Sequence, residues 1–236
     1  MEDLRRQRDK FIAFEGINGS GKTTVMQAVA ERVRARPHEN KVVTLANPTK
    51  GPIGTELRRI VAEQKALGFP MFFSRNPRTI AFATRLASLF IADREAMQEQ
   101  IANVPGNTFV FIDRYNLSTL VYQCAMIGDV AMESDLAKMI RTAHAQMISP
   151  GKTIILDVPV PVARFRLAAR GEKVDDTMMA TIDPVARSMY LDAHDTLSDG
   201  DGGHTFPIGW THEVNGDRPL DEVVESVFQA IDIIHF

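Results

Sequence analysis

The stretch Gly16-Ile17-Asn18-Gly19-Ser20-Gly21-Lys22-Thr23 constrains this chain more than any other. It follows a short apolar run, Phe11 to Phe14. It precedes a helical recurrence of Val25, Ala28, Val29 and Val33. The pattern is G-x-x-x-x-G-K-[ST], set between a strand and a helix as the pattern requires. Its glycines let backbone N–H groups turn inward around a polyphosphate, and the helix start adds partial positive charge. Gly16, Asn18, Gly19, Ser20, Gly21, Lys22, Thr23 and Thr24 are therefore the expected nucleotide-binding residues. Lys22 would reach the β- and γ-phosphates, and the Thr23 hydroxyl would sit on Mg²⁺. A glycine-rich turn with no ligand is the plain alternative, disfavoured by the strand–loop–helix setting.

The rest of the chain repeats that alternation. Val42 to Ala46 reads as a second buried strand, ended by Asn47-Pro48. Thr108 to Ile112 reads as a third, closing on Asp113, Thr153 to Val158 as a fourth, and Trp210 to Val214 as a weaker fifth. Between them the apolar spacing predicts helices over Ile53 to Leu67, Leu117 to Ile127, Met132 to Met147, Pro161 to Arg170, Met178 to Leu197 and Leu220 to Ile234. Arg78 to Asn103 reads as one long helix with Phe82, Leu86, Leu89, Phe90 and Met97 on its apolar face. Alternating strands and helices imply an α/β fold: a parallel sheet covered by helices on both faces. With 236 residues, 44% of them hydrophobic, the expectation is a single domain over residues 1–236.

Composition narrows the partners. A net charge of −3 argues against a nucleic-acid binder, which needs a basic face. The lone cysteine, Cys124, excludes an intrachain disulfide and points to a reducing, cytoplasmic setting. No apolar run reaches the length of a membrane span, and no signal-type stretch follows the charged Met1 to Lys10. The histidines show no metal-ligand spacing and read as surface or satisfied core residues.

A phosphate loop does not name the reaction. A guanine-reading N-K-x-D is missing, since Asn40-Lys41-Val42-Val43 lacks the Asp. Other blocks are more specific. Phe14 to Thr24 resembles the FEGxDGxGKTT opening of thymidylate kinases. Asp113-Arg114-Tyr115-Asn116-Leu117-Ser118-Thr119-Leu120-Val121-Tyr122-Gln123 resembles their DRYxxSxxAYQ block, with Val121 replacing Ala. Leu89 to Arg94 resembles LFxADR, Leu156 to Pro159 resembles LDVP, Pro52 to Gly54 resembles PIG, and Arg170 to Glu172 resembles the RGE that opens the lid. The blocks occur in the family's order.

That resemblance implies a P-loop three-layer sandwich with a five-stranded parallel sheet in order 2-3-1-4-5, a short lid over about residues 170–178, and a homodimer. It implies ATP as donor, a pyrimidine deoxynucleoside monophosphate as acceptor, dTMP or a 5-modified dUMP, and Mg²⁺ as cofactor. Phe90 and Arg94 are four apart, hence on one helix face, and together offer a stacking plane and donors for an exocyclic oxygen. Periodicity alone favours Phe90 as core; the resemblance reverses that. Arg114, Ser118 and Tyr122 begin at a strand's C-terminal end, where open α/β sheets bind ligands. In the family this arginine holds the acceptor phosphate, the tyrosine packs under the sugar, and Thr119 helps read the base. The family's acidic residue at the position of Asn18 contacts the sugar 3′-hydroxyl, and the Asn18 amide can still bond it. Thr23 and Asp113 serve Mg²⁺, Asp113 through water; a helix N-cap is the plain alternative for Asp113. Lys22, Arg114, Asp113 and Arg170 are then the expected catalytic residues, Arg170 as lid cation with Arg166 and Lys173 beside it.

The chain departs from the family after strand two, where Ala46-Asn47-Pro48-Thr49-Lys50 replaces Arg-Glu-Pro-Gly-Gly, and at Asn18, where an acidic residue is usual. Two rivals follow. A deoxynucleoside kinase needs a carboxylate base near the end of strand two, which Asn47 is not. A non-catalytic nucleotide sensor need not keep Lys22, Thr23, Asp113 and Arg114.

Overall fold

A computed structural model describes residues 9–36, 41–66, 75–172, 182–193, 197 and 206–231. Five parallel strands form one sheet: β1 (Phe11–Glu15), β2 (Lys41–Ala46), β3 (Thr108–Asp113), β4 (Lys152–Asp157) and β5 (Trp210–Asn215). Their order is β2-β3-β1-β4-β5, the expected one. The strands alternate with α1 (Lys22–Arg34), α2 (Pro52–Ala66), α3 (Pro77–Glu95), α4 (Gln98–Ala102), α5 (Asn116–Met126), α6 (Asp135–His144), α7 (Val160–Ala169), α8 (Asp183–Leu191) and α9 (Leu220–Ala230).

The two-residue period of a strand explains the layers. Ile12 and Phe14 of β1, with Phe109 and Phe111 of β3, point toward α1 and α9 and bury Val25, Val29, Val227 and Phe228. Phe11, Ala13, Val110 and Ile112 point the other way, toward Tyr115, Met97 and Ile101. β1 is wholly buried, as a central strand covered on both faces must be. β5 lies at an edge and exposes Trp210, Glu213 and Asn215, which is why its apolar signal is weak. β2, expected as a buried strand, is in fact the other edge: of its residues only Leu45 is buried.

The expected long helix over Arg78 to Asn103 is in fact two. α3 ends at Glu95 and α4 begins at Gln98. The cause is chemical. The Gln98 amide donates from Nε2 to the Arg94 carbonyl at 2.9 Å, and the Met97 N–H bonds the same carbonyl at 3.1 Å. The Gln98 Oε1 then accepts from the Ile148 N–H at 2.8 Å. The apolar stripe splits accordingly: Leu86 belongs to the main core, while Met97 joins the cluster under β1 and β3. The helix expected over Met132 to Met147 begins only at Asp135, where Ser134 Oγ accepts from the Ala137 N–H at 3.2 Å. Of the expected lid, only Arg170 to Glu172 falls within the described residues; 173–178, and with them Lys173, lie outside. So do Leu67 and residues 178–181, 194–196 and 232–234 of the expected helices.

The register of β1 with β3 sets Phe14 beside Asp113, so the loop after β1 and the turn after β3 open side by side. The functional site is built on that juxtaposition. No helix among the described residues is long and apolar enough to cross a membrane.

Candidate functional site

The loop from Gly16 to Gly21 is held by backbone contacts that tolerate no side chain at two points. Gly16 has φ +135°, and a Cβ there would stand 2.6 Å from the Leu156 carbonyl oxygen of β4. Gly19 has φ +80°, and its Cβ would stand 2.4 Å from the Ala163 carbonyl oxygen of α7. Both positions call for glycine on conformation and on space. Lys22 opens α1 and folds back on the loop, donating from Nζ to the Ile17 carbonyl at 2.7 Å and to Ser20 Oγ at 3.3 Å. Burial, and next the charge of Arg114, push its ammonium pKa down to about 7. Gly19, Ser20, Gly21 and Thr24 line a cavity of about 380 Å³, with Arg166 and Arg170 on its far side. Arg166 touches the loop, donating to the Ser20 carbonyl at 3.3 Å and to the Gly216 carbonyl at 3.0 Å. Arg170 is half exposed and pairs with Glu172 at 3.0 Å.

Thr23 and Asp113 meet although 90 residues separate them: Thr23 Oγ1 donates to Asp113 Oδ2. A hydroxyl and a carboxylate side by side are hard oxygen donors suited to Mg²⁺, which takes one or two carboxylates plus phosphate oxygens. Asp113 does not cap α5. Glu15, at the end of β1, does so instead: its Oε1 accepts from the Tyr115 N–H at 2.8 Å and the Ser118 N–H at 3.2 Å. Its Oε2 accepts from Ser118 Oγ.

Arg114 joins the loop to a second cavity. Its φ of +66° is unusual for a side chain of this size, and its N–H is anchored on the Phe14 carbonyl at 3.0 Å. The guanidinium donates to the Gly16 carbonyl at 3.1 Å, Ser118 Oγ at 2.9 Å and Asn18 Oδ1 at 2.8 Å. It lies 5.2 Å over the Tyr122 ring. Burial alone would lower its pKa, but Tyr122, Tyr190, Asp113 and Glu15 outweigh burial and raise it, so the charge is permanent. Tyr122 accepts from the Asn18 N–H at 3.2 Å and donates to Asp183 Oδ1 at 3.2 Å. Asn18 thus faces the second cavity with both its backbone and its side chain.

That second cavity is also about 380 Å³. Phe90 and Arg94 of α3 and Ser118, Thr119 and Tyr122 of α5 all line it. Phe90 is half-buried: it packs against the main core and presents the rest of its ring to the cavity, so both readings of it hold in part. Arg94 is fully buried at 0% exposure. Its Nη1 donates to Thr119 Oγ1 and to His144 Nε2, the latter at 3.3 Å. Burial lowers its pKa to about 10, which still leaves it charged at neutral pH. Thr119 therefore touches Arg94 as well as the cavity.

Five participants carry no role in the sequence reading: Glu15, Asp93, His144, Asp183 and Tyr190. Glu15 and Asp93 stand inside the quoted blocks, which was a signal. Asp93 Oδ2 accepts from Asn47 Nδ2 and the Thr49 N–H, each at 2.7 Å, and its Oδ1 accepts from Thr49 Oγ1 at 2.6 Å. It thereby ties the departing Asn47-Pro48-Thr49 segment to α3. Tyr190 bridges Ser118 Oγ at 2.8 Å and Arg114 Nη1 at 3.4 Å. His144, Asp183 and Tyr190 have no local signal, because only the folded chain brings them to the site.

The family model for thymidylate kinase matches residues 14–197. A thymidylate kinase of Cupriavidus taiwanensis is 32% identical over 163 residues, 69% of this chain and 72% of the relative. A probable thymidylate kinase of Methanococcus maripaludis is 28% identical over 224 residues, 94% of this chain and 95% of the relative. A thymidylate kinase of Geobacter sulfurreducens is 34% identical over 161 residues, 68% of each chain.

Proposed function

The chain belongs to the thymidylate kinase family, and from that premise we propose that it moves the γ-phosphoryl group of ATP onto dTMP, with the phosphate loop holding the donor and the Phe90–Arg94–Tyr122 cavity holding the acceptor. The carrying observation is Arg114. One guanidinium reaches the phosphate loop through Gly16 and Asn18 and also lines the acceptor cavity. A permanent charge shared by the phosphate loop and the acceptor cavity would align acceptor and donor and screen their mutual repulsion. An acceptor phosphate oxygen forms the new bond to the γ-phosphorus as the β–γ bridging bond breaks, and ADP leaves. The acceptor oxygen is already anionic, so no general base is needed.

Lys22 and Arg170 would supply further charge on the moving group, Lys22 from α1 and Arg170 from the rim of the donor cavity. Mg²⁺ would be held by Thr23 and Asp113 and would neutralise charge on the β- and γ-phosphate oxygens. Asn18, which lines the acceptor cavity, would bond the acceptor sugar, and Ser118 accepts from Arg114 at 2.9 Å. A two-fold homodimer is part of the reading, checked by light scattering at micromolar concentration.

The nucleoside-kinase alternative is disfavoured by chemistry near the end of β2. Asn47 is not a carboxylate, and the Asp93 oxygens beside it already accept three hydrogen bonds. The deciding assay is ADP release with a panel of nucleoside monophosphates, including 5-modified dUMP, against thymidine. Turnover with dTMP and none with thymidine is expected. Turnover with thymidine alone, or with nothing, would overturn the assignment.

A further inference from the structure

His144 is one of the histidines that sequence reasoning sets aside as surface or core. It closes α6 at 0% exposure, yet its Nε2 stands 3.3 Å from the Arg94 guanidinium. We propose that His144 is a positioning residue, whose Nε2 holds Arg94 in the orientation that reads the acceptor base. The proposal rests on the reading of Arg94 as the base-reading arginine.

The tautomer follows from donor counting. Guanidinium offers only donors, so Nε2 must offer a lone pair and the proton must sit on Nδ1. Nδ1 itself has no hydrogen-bond partner, and the backbone of Ile140 one turn back favours protonation of the ring. Burial, and next the positive charge of Arg94, drive the imidazole pKa down to about 2, so the lone pair is present at any working pH. The ring cannot swing away: Phe206 packs against it edge-on at 5.5 Å and 89°.

The choice of a neutral partner has a consequence for the substrate. The Arg94 guanidinium is hydrogen-bonded by Thr119 and His144, neither of them charged, and its Nε has no hydrogen-bond partner. A carboxylate there would satisfy the charge and compete with the ligand. Two neutral acceptors on Nη1 fix the plane of the guanidinium and leave the part of Arg94 that lines the cavity to a pyrimidine carbonyl. Aligned donors also penalise a base that presents an amino group instead.

Three variants and one spectrum test this, with KM and kcat measured for dTMP and ATP beside a denaturation midpoint. His144→Leu fills the space without a lone pair. It should raise the dTMP KM about tenfold or more, narrow the preference for dTMP over dCMP, and leave the ATP KM unchanged. His144→Gln, whose Oε1 can accept from the same side, should stay within about threefold of wild type. A purely structural His144 predicts instead that both variants lose stability alike with no acceptor-specific change, and that result overturns the proposal. Arg94→Met separates the two layers. If it leaves the dTMP KM unchanged, the base-reading role of Arg94 fails. If it raises the dTMP KM while a folded His144→Leu does not, only the positioning role fails. Nitrogen-15 NMR of the wild-type imidazole needs no variant: an unprotonated Nε2 at pH 6 is expected, and a proton on Nε2 overturns the proposal.

Discussion

The two cavities beside the phosphate loop have the same volume, about 380 Å³, and differ in what lines them. The proposed donor cavity is lined by Gly19, Ser20 and Gly21 of the loop and by Val25, Phe165, Leu220 and Val223, with the half-exposed Arg170 at its rim. The acceptor cavity is walled by side chains from α2, α3 and α5, and the groups behind it, Arg94, Asp93 and His144, are at most 1% exposed. Every triphosphate presents the same oxygens, so backbone N–H groups suffice to hold one. A base has to be told from its analogues, and discrimination comes from oriented donors that go unpaired when the wrong base enters. Substitutions on the donor side should therefore alter charge and rate. Those on the acceptor side should alter selectivity.

The largest effect expected is on the donor side. Lys22→Ala removes the buried cation of the loop, and turnover at saturating MgATP should fall by roughly a thousandfold or more. Near-normal turnover would break the donor assignment outright. Next is the rim. Arg170→Ala should lower kcat by about a hundredfold with little change in either KM if Arg170 moves onto the transferring group. Arg166→Ala should instead raise the ATP KM, since Arg166 braces the loop through Ser20 and Gly216. If the two phenotypes are exchanged, Arg166 is the catalytic cation.

On the acceptor side the expected change is smaller and of a different kind. Phe90→Ala and Arg94→Met should each raise the dTMP KM about tenfold, from roughly 1–3 kcal/mol of lost stacking or charged hydrogen bonding. The ATP KM should stay put. Because Phe90 also packs on the core, its truncation should lower the denaturation midpoint too, and Arg94→Met is the cleaner reading. Equal changes in both KM values would erase the contrast between the cavities.

The same contrast decides what could be read from sequence. The donor side is a contiguous octapeptide between a strand and a helix, so its geometry is local and its chemistry legible. The central strands were legible because burial on both faces makes them uniformly apolar, whereas the edge strand β5 was faint because polar His212 and Glu213 interrupt its run; β2, the other edge, reads as apolar although only its Leu45 is buried. The break between α3 and α4 was not legible, since its cause, Gln98 meeting the Ile148 N–H, spans 50 residues. The acceptor side needed the family resemblance for Phe90, Arg94, Thr119 and Tyr122. Even so, Tyr190 and His144 escaped, because nothing in their local sequence marks a side chain whose partner lies on another helix, and Asp93 stood inside the LFxADR block while its partners Asn47 and Thr49 are brought to it only by the fold.

The smallest expected effect is a pH dependence that only the donor side should show. Lys22 is held near pKa 7 by burial, so above pH 7 its ammonium is increasingly neutral. Phosphate oxygens favour the charged form and raise the pKa when nucleotide binds, so the complex holds more protons than the free protein. Affinity must then fall as pH rises: between pH 7 and pH 8 the ATP Kd should increase about fivefold, with uptake of about 0.9 proton on binding at pH 8. Folding of the free protein should slope the other way. The unfolded chain binds the proton that folded Lys22 gives up, so stability contributed by this group rises with pH above about 7. Titration calorimetry in buffers of different ionisation enthalpy measures the uptake, and Lys22→Met subtracts the nucleotide's own ionisation. On the acceptor side Arg94 stays charged up to about pH 10 and His144 stays neutral down to about pH 2, so neither group should add a step to the dTMP Kd across the same interval. A flat ATP Kd from pH 7 to pH 8, with no difference between wild type and Lys22→Met in proton uptake, would mean that Lys22 keeps its charge despite burial, and the phosphate loop would then be as pH-insensitive as the base-reading wall it is contrasted with.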